Sequence, residues 1–337
     1  MGVSATDRVA TTIPVGSDTP DPWPCPICGG GTRVLLEDLY DDRYGHPGLF
    51  DVRACNRCGH GHLAASFEPV ELGRLYSDFY PRSVLDIESF RPYEEVRGWR
   101  AWLAGERASA FRSVPRNVRV LDVGCGFGET LAYHEARGCE AYGVEADENI
   151  LRVGERFGLK VRAGLFDPAN YEPGSFDYVT LDQVIEHVSD PKEFMRGVAT
   201  VLKPGGVAIV STPNGRGYGA RLLGRKWINW HVPYHLQYFS RRSLRTLAAD
   251  SGFRVDSIAT VTNSRWLSYQ FLHVFSRPPI GEGSPFWDSS RSKRSMPPRA
   301  VRFGRRLDRI HFFDVITRSA DALGVGDNLL CFLRKPR

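Results

Sequence analysis

The sequence predicts an α/β protein built on a doubly wound, mostly parallel sheet of seven strands, with a small cysteine-knuckled ribbon ahead of it. Three observations predict this. Apolar runs of strand type alternate with amphipathic helical stretches from Pro115 onward, the pattern of a parallel sheet. A glycine-rich turn, Gly124-Cys-Gly126-Phe-Gly128, joins the first such run to the helix after it. Two Cys-x-x-Cys pairs, Cys25/Cys28 and Cys55/Cys58, precede the alternating region.

Taken in order, residues 1–22 are rich in Thr, Ser, Asp and Pro and match neither a secretory signal nor a transit peptide, so a disordered leader is expected. Residues 23–68 hold the knuckles and form the expected ribbon. From Glu71 to Arg112, Leu, Tyr and Trp recur at intervals of three and four, which predicts a helical connector over 69–114. In the expected core, 115–262, Val118–Gly124 reads as the first strand, Glu129–Gly138 as a helix, Glu140–Ala146 as the second strand and Asn149–Gly158 as a helix. Lys160–Gly164, Phe176–Val184 and Val207–Pro213 follow as strands three to five, with a helix over Pro191–Leu202 and a turn at Lys203–Gly206. Ser243–Gly252 reads as a helix and Phe253–Val261 as strand six. The last strand, within 326–337, is Asn328–Lys335, announced by Gly324, Gly326 and Asp327.

Residues 263–325 make a connection far longer than ordinary ones, so a helical insertion or lid is expected there. It holds the apolar run Trp266–Phe275, a Ser/Pro/Gly stretch, a basic patch, and an amphipathic helix with Phe303, Leu307, Ile310, Phe313 and Ile316 on one face.

The chain has 337 residues, 42% hydrophobic, and a net charge of +5. Between Arg291 and Arg309 the basic residues exceed the single acid Asp308 by seven, so the remainder is close to neutral. A local patch of that kind faces a phosphorylated acceptor, an anionic lipid surface or RNA. No stretch reaches the roughly 18 to 20 apolar residues of a membrane span, and a cytoplasmic protein is expected.

Seven cysteines in such a chain argue against a disulfide framework. Each Cys-x-x-Cys places two thiolates on a tight turn, and four in a tetrahedron suit Zn²⁺ with no open position, a structural site at Cys25, Cys28, Cys55 and Cys58. His60 and His62 follow the second knuckle and could substitute for a ligand, but the four-Cys reading needs no such help. Cys125, Cys139 and Cys331 fall in the predicted core.

The glycine turn alone is shared with dinucleotide enzymes. Here the second strand ends in an acid, Glu145, about 20 residues on, where a carboxylate accepts both ribose hydroxyls of an adenosine, and the spacing G-x-G-x-x-G is absent. With Asp122 on the first strand, the run Ser175–Val188 and the run Leu202–Asn214, the stretch from about Val118 to Thr212 resembles the class I S-adenosylmethionine (SAM) dependent methyltransferases. The closest resemblance is to the small-molecule branch that includes the ubiquinone-pathway O-methyltransferase. It implies a Rossmann-like sheet in which Gly124, Gly126 and Gly128 wrap the methionine part of SAM. Glu145, followed by Ala146, holds the ribose. Phe166 and Asp167 flank adenine, and Leu181, Asp182 and Gln183 lie beneath the methyl donor.

Acceptor-handling groups are expected beyond the carboxyl ends of strands four and five. Glu186-His187 resembles the end of an E-x-x-E-H pattern linked to a metal in the ubiquinone-pathway enzymes, but Gln183 stands where the first Glu would be. The segment Val232-Pro233-Tyr234-His235 followed by Leu236-Gln237-Tyr238-Phe239-Ser240 resembles the zinc-ribbon sugar C-methyltransferases, in which His235 matches the base. The assisting Glu and Tyr of that family are replaced. An alcohol or phenol needs only a proton acceptor, which one His supplies.

The leading expectation is O-methylation of a small-molecule acceptor, such as a sugar, phenol, polyketide or glycolipid, with His235 as base and His187 and His231 behind it. C-methylation of a nucleotide-linked sugar is the alternative, and RNA methylation, disfavoured by the knuckle spacing, the third. The basic patch leaves peripheral membrane contact open.

Overall fold

The structure is a computed structural model and describes residues 22–79 and 87–337. The leader expected over 1–22 therefore lies outside the described residues except at its last position. Strands β1 (Thr32–Leu39), β2 (Phe50–Cys55) and β3 (Gly61–Leu63) form an antiparallel meander. Helices α1 (Pro69–Arg74) and α2 (Gly98–Ala104) follow, with a π turn over Leu75–Phe79 and short 3-10 turns between and after them. Among the described residues the connector is thus two short helices and several turns and not the sustained helix its periodicity suggests. Gly98 and Gly105 take positive φ, and a Cβ on Gly105 would lie 2.0 Å from the Thr262 carbonyl oxygen, so the chain must break there to dock on the core.

The core alternates as expected: β4 (Arg119–Val123), α3 (Glu129–Glu135), β5 (Glu140–Glu145), α4 (Asn149–Phe157), β6 (Lys160–Ala163), β7 (Phe176–Asp182), α5 (Pro191–Val201) and β8 (Leu202–Pro213). After it come α6 (Tyr218–Leu223), β9 (Gln237–Tyr238), α7 (Arg241–Asp250), β10 (Arg254–Thr260), α8 (Ser264–Ser276), α9 (Pro298–Arg309), α10 (Phe312–Ala322) and β11 (Asn328–Arg334). The seven-stranded sheet has the order β10-β11-β8-β7-β4-β5-β6, with β11 antiparallel to both neighbours and the other described pairs parallel. This is the doubly wound sheet that the sequence predicts. Its direction of winding reverses between β4 and β7, which places a ligand crevice at their carboxyl ends.

Successive residues of a strand face opposite layers. Leu121, Ala208 and Val210 meet Met195, Val198 and Leu244 of α5 and α7, whereas Val120, Val207 and Ile209 meet Leu131, Ile150 and Val153 of α3 and α4. Strong local signals also set the helix starts. Asp190 caps α5 by accepting from the Lys192 and Glu193 N–H groups, and Ser240 and Ser243 form a reciprocal capping box on α7.

Three expectations need correction. The turn at Lys203–Gly206 lies within β8: Phe176 pairs with Leu202 and Tyr178 with Val207, so the extra residues form a bulge, with Gly205 at φ +82°. The single amphipathic helix is two, α9 and α10, split at His311, whose φ of +58° stops the helix. Phe313 is buried by this, while Phe303 and Ile310 point to solvent. The ribbon, finally, is completed by a distant strand. Gly61 pairs with Tyr238 and His62 with Gln237, giving a four-stranded sheet β1-β2-β3-β9. Cys25, Ile27, Cys55 and Cys58 join the same apolar cluster as Phe239 and Leu244.

Candidate active site

The cofactor turn lies where β4 runs into α3. Gly124 and Gly128 have φ +73° and +86°, and a Cβ on them would come within 2.6 Å of Val184 Cγ2 and 2.9 Å of Leu159 Cδ1. Gly126, at φ +56°, has nothing within 4 Å. Of the three, only Gly126 faces open space, and the others let the turn lie tight on the protein. Glu145, at the end of β5, accepts the Gly126 N–H on Oε2 at 3.0 Å and the Asp147 N–H on Oε1 at 3.2 Å. Each carboxylate oxygen keeps a lone pair beyond those bonds. Ala146 follows in the bend before α4.

Asp122 is buried beneath the turn and accepts the hydroxyls of Thr130 and Thr180, the latter at 2.6 Å. Burial pushes its carboxyl up to about 7. Burial likewise raises Asp182 to about 6, against hydrogen bonds to Ser109 and Ser211. Gln183, in the left-handed region at φ +58°, donates from Nε2 to Ser211 Oγ and Asn328 Oδ1, both at 3.0 Å. Leu181 is fully buried in the sheet. Phe166 packs against Phe194 and Tyr171, Asp167 accepts the Ala169 N–H, and Leu165, 80% exposed, is the open side chain of that loop.

Past the carboxyl ends of β7 and β8 three imidazoles converge. The ring centroids of His187 and His231 each lie 4.8 Å from that of His235. The chain achieves this with a turn between His231 and His235, closed by the His235 N–H on the His231 carbonyl at 3.0 Å, and a cis Val232–Pro233 bond. His235 Nδ1 meets the Asn229 carbonyl at 2.9 Å, and His187 Nδ1 the Tyr234 carbonyl at 3.0 Å. A carbonyl can only accept, so each Nδ1 carries the proton and each Nε2 presents a lone pair. Burial, and then His187 and Arg43, hold His235 well below the usual imidazole range, and burial lowers His187 to about 4.

Glu186 supports this cluster from below. Its Oε2 accepts the Thr212 hydroxyl at 2.9 Å, and its Oε1 has no hydrogen-bond partner among the described residues. Burial raises it from 4.5 to about 8, so the carboxyl is largely neutral at pH 7. The raised folded-state value means that stability present below pH 4.5 is lost progressively as pH climbs toward 8. Glu186→Gln, which imitates the protonated acid, is therefore expected to lose less thermal stability than the native chain between about pH 5 and about pH 9, by about 2 kcal/mol or more. Melting curves that shift in parallel would count against a neutral Glu186.

Much of the surrounding wall comes from outside the core. Arg43, buried in the loop after β1, lies 4.3 Å from the Trp287 ring centroid and donates to the Ile228 carbonyl. Tyr44 meets His231 and Tyr234 edge-on. The loop is tied to α8 and the segment after it through Asp42, which pairs with His273 at 3.2 Å and Arg277 at 3.1 Å. A small cavity between Gln183, Asn229, Tyr218, Trp266 and Asn328 opens beside the crevice. Sequence reasoning singled out none of Arg43, Tyr44, Thr130 or Thr180; the roles of Arg43 and Tyr44 depend on neighbours far away in the chain, whereas Thr130 reaches Asp122 only eight residues back.

At the ribbon, Cys25 Sγ lies 3.6 Å from Cys58 Sγ and Cys28 Sγ 3.5 Å from Cys55 Sγ, and one ligand atom from each of the four lies within 4.8 Å of the others. The N–H groups of Arg57 and Cys58 point at Cys55 Sγ at 3.3 and 3.4 Å. Thiolates about 2.3 Å from a tetrahedral zinc are about 3.8 Å apart, close to this arrangement. His60 is not a fifth member: its Nε2 meets Gln237 Oε1 at 2.8 Å. Glu186, His187 and His235 also bring one ligand atom each within 4.8 Å.

The model of the methyltransferase-domain family matches residues 90–258. The chain belongs to that family. Ubiquinone biosynthesis O-methyltransferases are among its relatives: that of Ralstonia nicotianae is 30% identical over 49% of this chain and 70% of its own. That of Aeromonas salmonicida is 26% identical over 52% and 78%, and that of Albidiferax ferrireducens 35% identical over 44% and 59%. The protein is a SAM-dependent methyltransferase. In this methyltransferase, both the ribbon and the 263–325 stretch lie outside the matched span, yet both supply walls around the three histidines.

Proposed function

We propose that the enzyme transfers the methyl group of SAM to a hydroxyl of a small-molecule acceptor, with His235 as general base. The observation that carries this is the Nδ1 bond of His235 to the Asn229 carbonyl, which leaves Nε2 with a neutral lone pair past the ends of β7 and β8. The O-methyltransferase relatives support an oxygen acceptor. When bound, SAM supplies an electrophilic methyl group, and the residues must position the acceptor in line and take its proton. His187 lies in edge-on ring contact with His235 and helps to hold that imidazole in place.

For the donor, Glu145 would accept one ribose hydroxyl on each oxygen, Gly126 would leave room for the methionine end, and Asp122 would hold the turn from beneath. Gln183 would lie under the methyl group, and the Leu165–Asp167 loop beside adenine. Glu145→Ala is expected to weaken SAM and S-adenosylhomocysteine by about 1 to 3 kcal/mol in calorimetry, with negligible NAD binding in either form. Unchanged affinity would place the ribose elsewhere. The ribbon thiols would hold one closed, structural zinc. The acceptor is identified by screening single-turnover transfer over sugars, phenols and lipid-linked alcohols. Turnover should need no added metal, and rescue by Mg²⁺ after dialysis would reassign Glu186, His187 and His235 as metal ligands.

A further inference from the structure

α9 carries Arg299, Arg302, Arg305, Arg306 and Arg309 in twelve residues, and Gly304 is its one buried position. None of these arginines forms an ion pair among the described residues. At 100° per residue the five lie along one side of the helix. Phe303 and Ile310, seven apart, fall together at the border of that side, 52% and 62% exposed. Next to them α10 exposes Phe312, Val315 and Ile316 at spacings of three and four. Phe271 of α8 links Phe303 to the exposed Phe275. On the other flank, α2 packs against α10 and leaves Trp99 and Trp102 open, with Arg100 over the Trp99 ring at 5.3 Å.

Guanidinium groups bordering exposed aromatic and aliphatic side chains on neighbouring helices meet two requirements of a lipid surface at once. The charges meet anionic headgroups, and the apolar edge enters the acyl boundary. Tryptophans suit the interface between the two. A second copy fits poorly, because a twofold contact would set five arginines of each chain near those of the other. RNA would use the arginines but leaves Ile310, Val315 and Ile316 with no role.

We propose that α9, α10 and α2 form a docking face for an anionic phospholipid bilayer. Full-length protein is sedimented with vesicles of phosphatidylcholine alone and of equal parts phosphatidylcholine and phosphatidylglycerol. Binding should be at least tenfold stronger on the anionic vesicles. The double variant Arg302→Glu/Arg306→Glu should lose at least tenfold of it, and Phe303→Ser/Ile310→Ser should weaken it as well. SAM affinity, measured alongside, should match the native protein in both variants, which shows that each is folded. Absence of binding to anionic vesicles, equal binding to both compositions, or full binding by the arginine variant overturns the proposal. So does displacement from the vesicles by a mixed-sequence RNA oligonucleotide, which would make the face a nucleic-acid surface.

Discussion

His235→Gln is expected to slow single-turnover methyl transfer by about 100-fold or more, the usual contribution of a positioned base, while leaving SAM affinity intact. Glutamine takes up no proton, so the variant removes basicity, and His235→Asn, whose amide nitrogen stands in for Nδ1 on the Asn229 carbonyl, should lose the rate equally. His187→Gln, at the imidazole in ring contact with His235 and with the same Nδ1-to-carbonyl bond, is the comparison variant and should cost less. Burial holds His235 well below 6.5. The base is therefore unprotonated at neutrality, and the rate should stay flat as pH falls through 6.5. A fall centred there points to another group, and a near-native His235→Gln beside a dead His187→Gln gives the role to His187.

Cys55→Ser is expected to abolish soluble, zinc-containing protein, with metal analysis of the native chain giving about one zinc per molecule. The magnitude follows from comparison. Structural zinc binding releases about 10 to 16 kcal/mol, and a whole domain is stable by about 5 to 15 kcal/mol. The loss would not stop at the ribbon, because Cys25, Ile27, Cys55 and Cys58 share an apolar cluster with Phe239 and Leu244 of the core. Cys139→Ser provides the control. That thiol donates to the Pro115 carbonyl at 3.3 Å, away from the other cysteines, and its replacement should leave zinc content unchanged. Soluble Cys55→Ser protein without zinc and with native SAM affinity would show that the ribbon is dispensable for folding.

Most of the core strands were legible because they are apolar runs closed by their own turn residues, as at Gly324, Gly326 and Asp327 before β11, while the edge strands β6 and β10 were legible from their place in the alternation. The glycine turn and Glu145 were legible for the same reason, both being local in the chain. What stayed hidden depends on partners far apart. β9 has two residues and no period to read, and it exists because β3 offers its edge. The break at His311 lies inside an unbroken apolar pattern. Periodicity misread the connector because Gly105 serves docking against Thr262, a requirement that composition does not show. The walls contributed by Arg43 and Tyr44 depend on how the loop after β1 folds back on Ile228 and His231.

The pairing of His62 with Gln237 also has a consequence for synthesis. At about 5 to 20 residues per second, a ribosome needs about 10 to 35 s to travel between those two positions. During that interval the nascent ribbon has its cysteines but lacks its fourth strand. The edge of β3 stands open. Early metal capture would hold the knuckles in shape until β9 arrives, so zinc supply during translation, more than afterwards, should govern the yield of assembled enzyme.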